Sequence, residues 1–337
     1  MTLSQTMRHD LGMTIPVWFP PHCPLDRCRA YLRRTLDDVE LFAHPANVVL
    51  VVDGCPRAVE PTQEAAAEVR VRSGASPQVA IKVQNEGQGG AVAFGLERLL
   101  GVPQLRYFCA RDADGDHDIY DVPPMLRRLR ELEAEAGERV WVLGSRADLH
   151  RPMGYARGEL ETVLNEVTVE ALTTAGSPPL LTACRVYGHY PDLQSGFKLY
   201  NRWSARVTAG SLRDAAAREP QKLPLRWGVQ FISTAQLLRE GGVPAAVLRL
   251  SYDEQPLSTF EGYEDLPRAF GCQIAWLFRW LQLPPETASV ILDNALAGTL
   301  LATTDGGWKV ICGLRDYVAA DAWGAPPPRP LSRGAMF

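Results

Sequence analysis

Four carboxylates occur within seven residues in the stretch "RDADGDHD" at 111–118. It directly follows the apolar run "LRYFCA" at 105–110, which is typical of a buried strand. Asp112 and Asp114 are two residues apart, so at the end of a strand their side chains point the same way. Carboxylates this close repel one another, and burying an unpaired one is costly. The pair therefore favours a shared cation, and oxygen ligands suit Mg²⁺ or Mn²⁺, which often join one or two carboxylates to substrate phosphates.

Two other interpretations of this stretch are a calcium loop and a solvated acidic turn. A calcium loop of the EF-hand type needs Gly at its sixth position and Glu at its twelfth, where this chain has His117 and Pro123. The calcium interpretation therefore fails. A solvated turn stays open, because an isolated pair of aspartates is as typical of a turn as of a metal site.

A glycine-rich stretch, "NEGQGGAVAFG" at 85–95, follows another apolar run. Glycine-rich loops that open a helix often bind phosphates. A dinucleotide fingerprint counted from Gly87 would need Gly where Val92 stands, and a P-loop would need Gly-Lys-Ser/Thr, which is absent from this stretch. A phosphate-binding loop of another kind and a simple strand-to-helix turn both remain open.

Alternating short apolar runs and helical patterns must position these stretches. We predict strands at 13–20, 47–54, 78–83, 104–110 and 139–146, and helices at 28–42, 61–74, 89–101 and 123–137. This alternation indicates βα units and a mainly parallel sheet, which binds ligands at the carboxyl ends of its strands. In the second half we predict strands at 195–202 and 245–252, and helices at 159–175, 228–242, 263–283 and 285–303.

Composition excludes several classes of function. The formal net charge of the 337 residues is −4, which argues against a general nucleic-acid-binding surface. The seven cysteines are an odd number without a CxxC pair, which argues against a disulfide framework and a zinc site and fits a reducing compartment. We find neither a signal-peptide pattern nor an apolar run long enough to span a bilayer, so we expect a cytoplasmic protein.

Five short motifs occur in a fixed order along the chain: "VVDG" at 51–54, "NEGQGGAVAFG" at 85–95, "RDADGDHD" at 111–118, "VLGSR" at 142–146 and "DLQSGFKLYNR" at 192–202. This series resembles family 2 glycosyltransferases of the GT-A fold, most closely the polyprenyl-phosphate (dolichol-phosphate) mannosyl- or glucosyltransferase branch. The resemblance covers roughly residues 13–250. It implies a Rossmann-like α/β fold, with a mostly parallel sheet flanked by helices, and here a helical C-terminal extension. It also implies metal-dependent, inverting transfer of a hexose from a nucleotide-sugar of the GDP-mannose or UDP-glucose type.

The resemblance also implies roles for particular residues. Asp53 would hydrogen-bond the base, with Pro16 and Phe19 lining that pocket, and Gly87 and Gly89 would let the backbone approach the nucleotide. Asp112 would face the ribose or the metal, Asp114 would bind the metal, and Asp116 would be a further oxygen ligand. Arg146 and Lys198 would balance phosphate charge, and Asp192 and Ser195 would shape the pocket for sugar and acceptor. His117 is open between a ligand, a supporting group and a solvated loop residue.

The acceptor is less well specified. Many relatives carry a carboxylate general base near a "W-G-x-[DE]" stretch, where this chain has Gln230. A phosphate or carboxylate acceptor, lipid-linked or soluble, would need no base. We therefore expect such an acceptor, although Asp192 or Glu219 could still serve as the base. Residues 272–283 could contact a membrane peripherally, or form a core or dimer helix in a homo-oligomer.

The expected organisation is a GT-A nucleotide-sugar glycosyltransferase domain at 1–262, a helical extension at 263–320 and a Pro-rich tail at 321–337. Two competing functions remain. A sugar-nucleotide nucleotidylyltransferase usually has a Gly-rich loop after its first strand, whereas "PVWFPPHCPLDR" contains no glycine. A non-catalytic nucleotide-sugar-binding protein of the same fold is the other, and Gln230 in place of a carboxylate favours it.

Overall fold

A seven-stranded sheet forms the centre of the fold, in the order β3-β2-β1-β4-β6-β5-β7. The structure is a computed structural model, and it describes residues 3–147, 149–177, 190–218, 223–249 and 266–330. The strands are β1 (Leu11–Val17), β2 (Val48–Asp53), β3 (Gln78–Lys82), β4 (Tyr107–Ala110), β5 (Val140–Arg146), β6 (Lys198–Asn201) and β7 (Val243–Arg249). All neighbouring strands run parallel except β6, which is antiparallel to both β4 and β5.

The helices cover both faces of this sheet. They are α1 (Leu3–Asp10), α2 (Leu25–Leu36), α3 (Val39–Phe42), α4 (Pro56–Ser73), α5 (Gly87–Leu100), α6 (Val122–Ala136), α7 (His150–Met153), α8 (Tyr155–Thr174), α9 (Arg202–Arg218), α10 (Leu223–Trp227), α11 (Val229–Arg239), α12 (Leu266–Trp280), α13 (Pro285–Ala297) and α14 (Asp305–Trp323). The expected fold class is therefore confirmed: an α/β protein with a mostly parallel sheet, helices on its faces and helices at its C-terminal end.

Alternate side chains of each buried strand enter two different hydrophobic cores, because side chains along a strand point to opposite faces. In β2, Leu50 and Val52 pack with α2, α4 and α6, whereas Val49 and Val51 pack with α5 and the later helices. The near-continuous apolar run of this strand follows from burial on both faces.

The antiparallel strand β6 brings the later part of the chain to the functional edge of the sheet. Lys198, its first residue, pairs with Ala110 at the end of β4 and with Leu143 in β5. The turn at 192–197 therefore lies beside the acidic stretch that follows β4. Sequence periodicity predicted a strand-like segment here but not its direction.

Two long helices, α9 and α14, were not predicted individually, although most of α14 lies within the helical extension expected at 263–320. The first is rich in alanine and small polar residues, so its apolar periodicity is weak. Three residues of α14 (321–323) fall in the expected Pro-rich tail. The boundary expected at residue 262 lies outside the described residues, and the domain limits remain predictions.

The C-terminal helices share a hydrophobic core with the rest of the fold. Trp276, Leu277 and Phe278 of α12 are almost completely buried and belong to the same core as α8 and α11. Trp276 stacks on Trp280 at 5.2 Å and packs edge-on against Phe231. Trp276 and Phe278 therefore lie in the core of the fold, and contact of 272–283 with a membrane stays a prediction.

Among the described residues, none of the helices is both long enough and apolar enough to cross a bilayer.

Candidate functional site

A cavity of about 390 Å³ opens at the carboxyl ends of the parallel strands. It is lined by residues that follow β1, β2, β4, β5 and β7 and by residues of α5, α8, α10, α11 and α12. Of the residues singled out in the sequence, it brings together Pro16, Phe19, Asp53, Gly87, Asp112, Asp114, Asp116, His117, Arg146 and Gln230. Gly89, Asp192, Ser195 and Lys198 are not on its surface.

Asp112 and Asp114 form the most perturbed pair of carboxylates in this cavity. Burial and the negative charge of Asp116 raise the pKa of Asp112 to about 6. Burial and the charge of Asp112 raise the pKa of Asp114 to about 7. Asp112 accepts a hydrogen bond from Gln88 at 2.8 Å, and Asp114 accepts one from the backbone N–H of Asp116 at 3.1 Å. Two close carboxylates repel each other when both are ionised. Binding of a cation beside them is therefore electrostatically favourable.

The chemistry of this pair fits a divalent ion that also binds a substrate phosphate. Within the described ranges, no three His, Cys, Asp or Glu side chains are grouped so that they could enclose a metal. Mg²⁺ and similar ions are commonly held by one or two carboxylates together with phosphate oxygens and water. The arrangement therefore suits an ion that arrives with its substrate rather than one held in a protein cage.

Asp116 differs from its two neighbours because it has a cationic partner within the protein. Its carboxylate accepts a hydrogen bond from Arg249 at 2.9 Å, and the same guanidinium donates to the Asp116 carbonyl at 3.0 Å. Asp118 is half-buried and accepts the N–H of Tyr120 at the start of a short helical turn. Of the four carboxylates of the stretch, Asp112 and Asp114 therefore form a pair in the cavity. Asp116 forms an ion pair with Arg249, and Asp118 caps a short helical turn.

His117 is buried, so the interpretation of a solvated loop histidine is wrong. Its Nδ1 accepts the backbone N–H of Asp112 at 2.9 Å, and its ring stacks on Phe197 at 4.7 Å. Burial and the positive charge of Arg249 lower the pKa of His117 well below its usual value. The neutral ring therefore carries its proton on Nε2, 3.7 Å from the Asp112 carboxylate, where it can donate but cannot ligate a metal.

Asp53 holds the loop that precedes α5. Both of its oxygens lie 3.1 Å from the backbone N–H of Glu86, and Lys82 lies 3.4 Å away. Burial, the largest influence on this group, raises the pKa of Asp53. Contact with a nucleotide base stays a prediction, and the structure adds a second role, ordering of the loop before α5, whose first turns contain the glycines.

Part of the glycine pattern serves helix packing. A Cβ at Gly87, whose φ is +80°, would come within 3.0 Å of the Cα of Arg226, and one at Gly89 would come within 3.0 Å of Leu225. A Cβ at Gly95 would overlap the side chain of Thr14 on β1. These glycines let α5 approach α10 and β1 closely, and only Gly87 also lines the cavity.

Arg146 is held by carboxylates of the protein. It donates two hydrogen bonds of 2.7 Å to Asp192 and one of 2.5 Å to Glu161, which also accepts one from Arg157 at 3.2 Å. Burial disfavours ionised Asp192, but the charge and hydrogen bonds of Arg146 outweigh it and hold the pKa of Asp192 below its usual range. The sequence analysis missed Arg157 and Glu161, whose i, i+4 spacing on α8 was the available signal.

Lys198 lies beneath the turn at 193–196 rather than in the cavity. Its ammonium group donates to the carbonyls of Leu193 at 3.1 Å and Ser195 at 2.6 Å, and burial lowers its pKa to about 7. The turn matters for the site because a Cβ at Gly196 would lie 3.2 Å from both Asp112 and Gln230. Lys198 thus supports the wall that faces the carboxylate pair.

Comparison with known proteins finds similarity in structure but none in sequence. No protein-family model matches the chain, and no curated protein matches its sequence. Among solved structures, it is similar to the crystal structure of S. aureus TarS 1-349, with a TM-score of 0.43 and 11% identity. The match covers 93% of this chain and 81% of that chain.

Proposed function

We propose that this chain is a metal-dependent, inverting glycosyltransferase that transfers a hexose from a nucleotide-sugar of the GDP-mannose or UDP-glucose type. The observation that carries the proposal is the pair Asp112 and Asp114, two carboxylates of raised pKa facing one cavity at the carboxyl edge of the sheet. Open α/β sheets bind their ligands at this edge. The order of the five sequence motifs along the chain supports the same conclusion.

The residues of the chain would divide the work as follows. Asp112 and Asp114 would hold Mg²⁺ or Mn²⁺ against the diphosphate, and Gln88 orients the Asp112 carboxylate through its 2.8 Å hydrogen bond. The bound ion would supply positive charge that stabilises the diphosphate as a leaving group. Pro16, Phe19 and Asp53 line the part of the cavity where the base would lie.

Thermal unfolding with UDP or GDP, each with and without Mn²⁺, tests the donor half of this proposal. A ligand that binds only the folded state raises its stability. We expect one nucleotide to stabilise the protein only when Mn²⁺ is present, and we expect this effect to vanish in Asp114→Asn. The matched control is Asp118→Asn, which changes a carboxylate of the same stretch that does not line the cavity and should keep the effect. Absence of stabilisation by either nucleotide would refute the proposal.

Turnover distinguishes an enzyme from a non-catalytic binding protein. Gln230 stands where a carboxylate base is expected, and this is the observation that favours a non-catalytic binding protein. An active transferase should hydrolyse its nucleotide-sugar slowly even without an acceptor, and the rate should fall in Asp114→Asn. Tight, metal-dependent nucleotide binding without any hydrolysis would instead favour the binding protein.

A further inference from the structure

Besides Gln88, which donates to Asp112, three glutamines line the same cavity: Gln194 in the turn before β6, Gln230 on α11 and Gln273 on α12. Each uses its amide nitrogen inside the protein. The acceptors of these hydrogen bonds are Asn165 for Gln194 at 3.2 Å, Gln88 for Gln230 at 3.4 Å and the carbonyl of Ala269 for Gln273 at 2.7 Å. Within the described ranges, none of the three amide oxygens accepts a hydrogen bond.

The hydrogen-bond network fixes which end of two of these amides meets the protein. A backbone carbonyl can only accept, so the nitrogen of Gln273 must face Ala269. A carboxylate at neutral pH likewise accepts, so Gln88 turns its nitrogen to Asp112 and its oxygen to Gln230. Gln230 must then direct its nitrogen inward. The amide oxygens are therefore the ends left for a ligand.

Amide oxygens favour ligands that donate hydrogen bonds over ligands that carry negative charge. They accept hydrogen bonds from hydroxyl groups, whereas a phosphate or carboxylate would meet them oxygen to oxygen and be repelled. Arg157, the cation of α8 on this cavity, is already paired with Glu161. The three amide oxygens thus suit hydroxyl donors, whereas an anion in this cavity would depend on Arg226 of α10, which also lines it.

Apolar side chains accompany the three amides. Leu164 on α8 and Phe270 on α12 line the same cavity and are 2% and 3% exposed. A ring that alternates hydroxyl groups with C–H groups can place the former on the amide oxygens and the latter on these apolar surfaces. Sugars and polyols have this composition.

We propose that Gln194, Gln230 and Gln273 form a subsite for a neutral, hydroxyl-rich ligand, either the sugar of the donor or a saccharide or polyol acceptor. The inference rests on the proposed function. If this ligand is the acceptor, a neutral acceptor would take the place of the phosphate or carboxylate acceptor that Gln230 suggested in the sequence, because the same residue presents an amide oxygen to the cavity together with two others. α12 thereby contributes directly to substrate recognition.

Ligand-observed NMR with Mg²⁺ and the nucleotide that stabilises the protein provides the test. The neutral probes are D-glucose and D-mannose, and the anionic probes are inorganic phosphate and farnesyl phosphate. In a second arm, calorimetry compares the nucleotide with its nucleotide-sugar. Binding of a free sugar identifies the ligand as the acceptor, whereas a gain confined to the nucleotide-sugar identifies it as the donor sugar. Binding of the anionic probes alone would overturn the proposal.

Substitution of the amides supplies the second criterion. We expect Gln273→Met and Gln194→Met each to weaken sugar binding about five- to tenfold, the value of one hydrogen bond. Binding of the nucleotide alone should be unchanged, which also shows that the variants are folded. Gln236→Met on α11, whose amide bonds to Glu240 away from the cavity, is the matched control.

Two further results would count against this subsite. Sugar binding that is equal in the variants and in wild type would overturn it. So would nucleotide binding in wild type without any gain from a sugar in either arm. Failure of every nucleotide to bind would instead refute the proposed function itself, and the two failures are therefore distinguishable.

Discussion

Replacing Asp114 by asparagine should stabilise the metal-free protein at neutral pH. Asparagine keeps the oxygen that accepts the N–H of Asp116 at 3.1 Å but removes the buried negative charge. Burial and the charge of Asp112 raise the pKa of Asp114 to about 7 from an ordinary value near 3.8. The wild-type protein therefore bears a cost for ionising this group, and the variant does not.

The size and sign of the effect follow from proton linkage. Between pH 4 and 7 the folded state binds more protons at Asp114 than the unfolded state, so wild-type stability falls as the pH rises through this window. The shift corresponds to a cost of about 4 kcal/mol as an upper bound. We therefore expect wild type and Asp114→Asn to be equally stable at pH 4 and to diverge up to pH 7, with the variant more stable.

Urea unfolding in EDTA from pH 4 to pH 7.5 measures this divergence. Asp118→Asn, which alters the capping residue outside the cavity, should not show this divergence, because its charge acts on Asp121 rather than on the pair. Mn²⁺ should raise the stability of wild type at pH 7.5, do so less at pH 5 because protons compete for the carboxylates, and leave the variant unchanged. Parallel curves for wild type and Asp114→Asn, or a variant less stable at pH 7, would refute the interpretation that burial and the charge of Asp112 raise the pKa of Asp114.

Three further substitutions test the surroundings of this pair. Gly196→Ala, whose Cβ would stand 3.2 Å from Asp112, should weaken metal-dependent nucleotide binding about tenfold by calorimetry while leaving the unfolding temperature unchanged. Arg249→Met should cost about 3–5 kcal/mol in urea unfolding because Asp116 is left buried without its partner. The added change Asp116→Asn should recover most of this loss, and a double variant as unstable as the single one would contradict the ion pair. Burial lowers the pKa of Lys198 to about 7, so the unfolded state binds more protons above that pH and wild type should gain up to about 3 kcal/mol between pH 7 and 9. Lys198→Met should lack this gain, and equal pH slopes would contradict the buried ammonium group.

Local patterns in the sequence were sufficient to predict the βα alternation and the edge at which the site lies. The apolar runs of β2 and β4, and the turn residues that follow them, are signals within a few residues, and they place Asp53, Asp112 and Asp114 at strand ends. The same signals predicted α5, although the glycines lie within this helix rather than in a turn before it. They were insufficient for α9, whose alanine-rich helix lacks a clear apolar stripe, and for the antiparallel direction of β6.

The sequence by itself determined the order of the motifs, the spacing of Asp112 and Asp114 and the fold class. Only the tertiary structure decided which partner each charged group takes: Asp116 pairs with Arg249, Arg146 with Asp192, and Lys198 with carbonyls beneath a turn. It also brought α12 to the cavity, so that Gln273 joins Gln194 and Gln230. The physical reason is the distance along the chain over which each effect acts. Periodicity and turn chemistry act over a few residues, whereas burial and charge pairing depend on segments that approach only when the whole sheet has formed.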